Sequence, residues 1–162
     1  MPGKKIWGRK RHVLVDTLGL PMAVVVHAAD VADREGVQRL LAAYTAQDFP
    51  RLQLIWADQG YTGEVADWIR EHLGCRLEIV KPASSDEQSE WVWKHGKMTR
   101  KRTKAKGFQV LPRRWVVERT FAWISRHRRL ARDFEGLPTS SEAFIQLALS
   151  RLMLSRLVPP FP

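Results

Sequence analysis

The stretch LQLIWADQGYTG, residues 52–63, decides how the chain is read. Its first six residues are an apolar run too short for a helix and include Ile55 and Trp56, so they predict a buried strand. Asp58 stands directly behind that strand, ahead of a turn and a predicted helix from about Glu64. That helix has Val65, Trp68, Ile69 and Leu73 on one face and Gly74 as its C-cap. Carboxyl ends of strands in α/β sheets gather ligands, because loops and helix N-termini converge there. Asp58 is therefore a candidate site residue, and it also suits a turn aspartate accepting from the amides of Gly60 and Tyr61.

Working outward, RLEIVK (76–81) predicts another short strand, closed by Pro82. Upstream, RHVLVD and LPMAVVVHAA flank a Gly-containing turn and predict a hairpin with strands at about 11–16 and 20–28. The second run is apolar nearly throughout, as in a strand covered on both faces. DVADREGVQRLLAAYTAQ predicts a helix near 33–46, with Asp30 or Asp33 as its cap. The order β-β-α-β-α-β implies an α/β fold in which all four strands share one mixed or parallel sheet flanked by helices. Residues 83–112 read as a long loop within a single domain spanning 1–162. A strand or helical turn is expected around Trp91 to Trp93, with both rings on the core side, and little order in the basic half. A helix is expected over 113–132 and ended by Gly136-Leu137-Pro138. Thr139 and Glu142 then form a capping-box pattern that opens a last helix at about 140–156.

Charge narrows the function classes. The 162 residues carry a formal charge of +10, and 19 of the 27 Lys and Arg fall in segments 1–12, 94–106 and 113–132. Such a field suits a polyanion, with double-stranded DNA the expected partner. The single Cys75 excludes an intrachain disulfide and a cysteine-rich zinc site. No glycine-rich phosphate loop, G-x-S-x-G or C-x-x-C is present, which removes the common nucleotide, acyl-transfer and redox readings. No window reaches 18 apolar residues and no signal peptide is evident, so the expectation is a soluble cytoplasmic chain without a membrane partner. His12, His27, His72, His95 and His127 are scattered without pairwise metal spacing and read as structural or surface residues.

Glu118 is the partner that Asp58 calls for. It is the only acidic residue between Glu90 and Asp133, in a helix with Arg114 one turn before it and Arg119 after it. An intrahelical ion pair with Arg114 accounts for it in part. A helix this rich in arginine has more donors than carboxylates, and phosphate is a natural missing partner. A strand-end Asp and a helix Glu can together supply hard oxygen ligands to a divalent ion.

WADQGYTG, followed some sixty residues later by RRWVVERTFAWISRHRRLARDFE and preceded by GRKRHVLVDTLGLPMAVVVHAADVADREG, resembles the catalytic domain of bacterial insertion-sequence transposases of the DDE superfamily. The resemblance covers about residues 4–157 and implies a ribonuclease-H-like fold. It implies that Asp58 and Glu118 are the second and third catalytic carboxylates and metal ligands, with magnesium, or manganese in its place, as cofactor. Strand cleavage and transfer at element ends, DNA recombination, is the implied activity. The family's first Asp sits on a strand ahead of the GRKRH segment, so the first strand and its carboxylate are expected to be missing; Asp16 reads as a turn residue and not as their replacement. An incomplete or split transposase is thus expected, completed by an upstream transposase fragment or working as a homo-oligomer. The alternative is a catalytically inactive DNA-binding or assembly module. Arg9, Lys10, Arg11, Arg100, Lys101, Arg102, Arg114, Arg119 and Arg126 are the expected nucleic-acid contacts.

Overall fold

Strands β1 (Arg9–Val15) and β2 (Pro21–Ala28) form the predicted antiparallel hairpin, with Leu14 opposite Ala23 and Val13 opposite Val24. Asp16 closes its turn as expected, its Oδ1 accepting from the amides of Leu18 at 2.9 Å and Leu20 at 2.7 Å. The computed structural model describes residues 8–80, 89–94, 97–102 and 114–157, and of 89–94, 97–102 and 114 the backbone alone. Side chains alternate across a strand, so the hairpin has two distinct faces. Leu14, Ala23 and Val25 belong to one core, with Val37, Leu41, Ile55 and Ile69. Val13, Val24 and Val26 belong to another, with Ile124, Leu130, Ile145 and Leu149.

Helix α1 (Asp33–Leu41) buries Val37, Leu40 and Leu41 in the first core. It ends several residues before the predicted 46. The Tyr44 amide bonds back to Leu41, and the Tyr44 ring meets Phe49 at 5.1 Å against the same core. Neither predicted aspartate caps it: Ala32 is the N-cap and makes no side-chain bond, while Asp33 is drawn aside by Lys10. Strand β3 (Leu54–Ala57), helix α2 (Val65–Leu73) and strand β4 (Arg76–Ile79) form a parallel β-α-β unit. Gly74 ends α2 in the left-handed region at φ 68°, as expected of a C-cap.

The expectation of one sheet is overturned. Among the described residues β1 bonds only β2 and β3 bonds only β4. Ala23 of the first pair and Ile55 of the second nevertheless share a core, so apolar packing and not a hydrogen-bonded ladder joins them. The expected loop is also corrected in part. Strand β5 (Ser89–Lys94) is the strand expected around Trp91 to Trp93; β6 (Lys97–Arg102), in the basic half, pairs with it antiparallel and sets Lys101 opposite Glu90. The rest of 83–112 and the side chains of Trp91 and Trp93 lie outside the described residues.

Helix α3 (Arg114–Ser125) stops seven residues short of the predicted end. The chain turns there through bonds from His127 to Ile124 and from Leu130 to His127, which swing Leu130 into the second core. Helix α4 (Pro138–Leu157) starts at Pro138 without the predicted capping box. Glu142 instead reaches across to accept the amide of Val26 at 2.8 Å, and Ser141 donates to Asp133 at 2.7 Å. Burial pushes the Asp133 carboxyl up, but bonds from Ser141 and the Glu135 amide, with Arg9 and Arg11 nearby, hold it below the ordinary value. No described helix is long and apolar enough to cross a membrane.

Replacing Glu142 with Ala strands the amide of buried Val26. The expected cost is about 1–3 kcal/mol, read as a lower urea midpoint at unchanged m-value. An unchanged midpoint would show that water replaces the carboxylate.

Candidate active site

Asp58 caps a single 3₁₀ turn, Gln59–Tyr61, at the carboxyl end of β3. Its Oδ1 accepts the Gly60 amide at 2.9 Å and its backbone carbonyl accepts the Tyr61 amide at 3.3 Å. The turn role and the strand-end position therefore coincide in one residue. Gly60 lies between two carboxylates: a Cβ there would stand 2.9 Å from Asp33 Oδ2 and 3.1 Å from Asp58 Oδ1. The two oxygens are thus no more than about 6 Å apart, close enough for like charges to raise the local demand for a cation. Lys10 meets part of that demand, its Nζ donating to Asp33 Oδ1 and to the Val31 carbonyl, each at 2.8 Å.

The turn is tied to the hairpin by a hydrogen bond of 2.7 Å between the Tyr61 hydroxyl and Nδ1 of His12. Burial first, and then the negative Asp58 and Asp33, push the Tyr61 hydroxyl far up, so it stays protonated. His12 is buried and stacked on His27 with ring centroids 4.7 Å apart. Desolvation and the neighbouring His27 lower the His12 pKa, with Lys10 in the same direction, against the raising effect of Asp33 and Asp58. Gly36 of α1 packs against both rings, and a Cβ there would come within 3.0 Å of both Nε2 atoms. Only glycine lets the helix approach this closely. His12 and His27 bear out the structural reading of those residues, but their pairing escaped the spacing argument. The signal lay in the hairpin register: Lys10 faces His27, which places His12 on the same face one diagonal step away. His72, likewise structural, stacks on Trp68 at 4.7 Å.

Glu118 lies exposed in the second turn of α3. The two residues after it fix its helix to the hairpin turn: Arg119 donates to the Leu18 carbonyl at 2.6 Å and Thr120 to the Gly19 carbonyl at 2.7 Å. The Asp58 turn thus docks against the middle of β1 and the Glu118 helix against the loop at its end. The side chain of Arg114, the expected neighbour of Glu118, lies outside the described residues.

Several of the expected DNA contacts have internal partners. Arg9 bonds Asp133 and the Gly136 carbonyl, Arg11 bonds the Leu130 carbonyl, and Arg119 lies between Trp115 at 4.3 Å and Trp123 at 4.9 Å. Arg126 is exposed on the turn after α3, with Arg128 and Arg132. Arg100, Lys101 and Arg102 fall on β6, their side chains outside the described residues. The donors around Gly60 are carboxylate oxygens, which suit magnesium or manganese better than zinc. Among the described residues no group of three or more His, Cys, Asp and Glu converges as a metal site.

The transposase DDE domain family matches residues 2–153. The chain is 29% identical over 146 residues to a Burkholderia cepacia protein named "Putative transposase for insertion sequence element IS402". That alignment takes in 86% of this chain and 60% of the relative, so the chain spans about 60% of the length of that curated relative. No solved structure matches the chain.

The lowered His12 pKa sets a pH dependence. Unfolded His12 takes up its proton near pH 6.5, above the folded value, so stability is lost as pH falls below about 6.5 toward the folded pKa. Urea midpoints measured from pH 7.5 to 5.5 are expected to decline, and to decline less in His12→Gln. Equal slopes in the two proteins would remove His12 as the cause.

Proposed function

Because this chain belongs to the transposase DDE domain family, we propose that it forms the Asp58- and Glu118-bearing part of a DNA-transposing enzyme, acting by metal-dependent phosphodiester cleavage and strand transfer. The observation that carries the reading is Asp58 at the carboxyl end of β3, beside a second carboxylate and within a matched family domain. Asp58 and Glu118 are the residues that would hold magnesium or manganese. Such an ion, when bound, activates a water or a 3′-hydroxyl toward phosphorus and neutralises charge there. Asp58 is suited to this because its turn leaves the carboxylate exposed at the strand end, and Glu118 because it stands exposed on a helix anchored by its neighbours.

The fold reading is a ribonuclease-H-like sheet lacking one strand. It is supported by an antiparallel pair and a parallel pair that share a core without bonding to each other. A further strand, carried by an upstream transposase fragment or a longer chain, would seat along β1 and β3 and bring the family's first carboxylate. Residues 1–162 then act as one domain. Its DNA contacts come from Arg100, Lys101, Arg102, Arg114 and Arg126, while Arg9, Lys10, Arg11 and Arg119 brace the fold.

The isolated chain is expected to bind manganese weakly, because waters must replace a missing ligand, and to lose that binding in the Asp58→Asn, Glu118→Gln double variant. Adding the missing strand, in cis or as a separate fragment, should raise DNA cleavage only while both carboxylates are intact. Binding unaffected by the double substitution would leave a catalytically inactive DNA-binding or assembly module.

DNA binding itself should depend steeply on salt. For about six phosphates contacted, the slope of log affinity against log salt is roughly −5 for duplex DNA. A fluorescence titration with a flat salt dependence would remove the basic segments as the interface.

A further inference from the structure

The buried pair His12 and His27 is not used by the reading above, and its hydrogen-bond accounting is incomplete. Both side chains are more than nine-tenths buried, and both Nε2 atoms are without a hydrogen-bond partner where they converge on Gly36. Buried nitrogens of this kind normally find partners. The remaining ring nitrogens settle which proton goes where. His27 Nδ1 lies 2.8 Å from the Ala28 carbonyl, which can only accept, so that nitrogen carries a proton, and in the neutral ring Nε2 then has a bare lone pair. If His12 Nε2 were bare too, two lone pairs would crowd together in a buried site. With the proton on His12 Nε2 the two atoms have opposite polarity, and His12 Nδ1 becomes an acceptor. The 2.7 Å bond to Tyr61 then has one direction, with the hydroxyl donating to the imidazole.

We propose that His12, fixed as its Nε2–H tautomer by the stacked His27, is a positioning residue that holds the Asp58 turn through the Tyr61 hydroxyl. The inference rests on the reading of Asp58 as a metal ligand. Tyr61 follows Asp58 by three residues, and the intervening turn is a single 3₁₀ turn whose hydrogen bonds start from Asp58 itself. Its position relative to the hairpin therefore passes through Tyr61. The other charged groups about the link are Lys10 on the same strand, Asp33 from α1 and Asp58. They enter as fields across the site, and the link to His12 is the directed contact. Second-shell bonds of this sort orient ligands, and their loss typically weakens metal affinity by roughly 10–100-fold.

The test uses the full chain and manganese alone as probe. Tyr61→Phe keeps the ring and removes the donor, so manganese affinity should fall about tenfold and Gly60 amide exchange quicken, with a lower urea midpoint from the stranded His12 Nδ1. His12→Asn offers an acceptor oxygen in place of Nδ1 and should retain most of the affinity that His12→Leu loses. Ring nitrogen chemical shifts should show His12 protonated at Nε2 and His27 at Nδ1, with the His12 preference retained in Tyr61→Phe because His27 sets it. A His12 protonated at Nδ1, or unchanged Gly60 exchange in Tyr61→Phe, overturns the link. If Asp58→Asn abolishes manganese binding but Tyr61→Phe leaves it intact, the positioning role fails and the metal reading survives. If Asp58→Asn has no effect on manganese, the metal reading fails, and a positioning role toward that ligand fails with it, whatever the ring shifts show about the hydrogen bond.

Discussion

The rest of the structure depends on the two-faced packing of the β1–β2 hairpin. A two-stranded sheet is marginal alone in water, and this one is stabilised by burying both of its sides. Leu14, Ala23 and Val25 close the core of α1, α2 and β3, while Val13, Val24 and Val26 close the core of α3 and α4. The near-continuous apolar run of β2 follows from that position, since a strand covered twice has no wet face on which to place polar residues. A one-residue slip of register would exchange the two sets and expose both cores at once to the wrong partners.

Polar contacts then fix the elements that apolar packing leaves free to slide. Arg9 and Arg11, on the second face of β1, take the chain between α3 and α4 through Asp133, Gly136 and Leu130. Glu142 ties α4 to the Val26 amide of β2. These bonds join residues more than a hundred positions apart, so they select one arrangement of the C-terminal helices on the hairpin. They also explain why Arg9 and Arg11 do not simply form a solvated charge run: their guanidinium groups have partners within the fold.

The candidate site depends on the same hairpin from its other face. His12 and His27 point toward α1, where Gly36 makes room for them, and Tyr61 joins the Asp58 turn to that pair. Lys10 holds Asp33 beside it. Asp58 is thus positioned by contacts across three elements, although β3 and β1 share no ladder. The Glu118 helix reaches the hairpin at its turn, through backbone carbonyls of Leu18 and Gly19 that accept from Arg119 and Thr120.

What the sequence determined by itself was local. The hairpin, the apolar β3 strand ending at Asp58, the Gly74 stop and the Asp16 turn were legible because each depends on near neighbours: periodicity, a left-handed residue, an aspartate two positions from an amide. The family was legible for a similar reason, its motifs being contiguous stretches. Tertiary structure decided whatever required distant partners. Burial of Leu130 ended α3 early, and the Val26 amide took Glu142 away from a helix cap. Lys10 took Asp33 from another, and the His12–His27–Tyr61 cluster came from strand register joined to a turn nearly fifty residues away. The division of the strands into separate pairs was also a tertiary outcome, since an apolar run states that a strand is buried and carries no record of which strand it will bond.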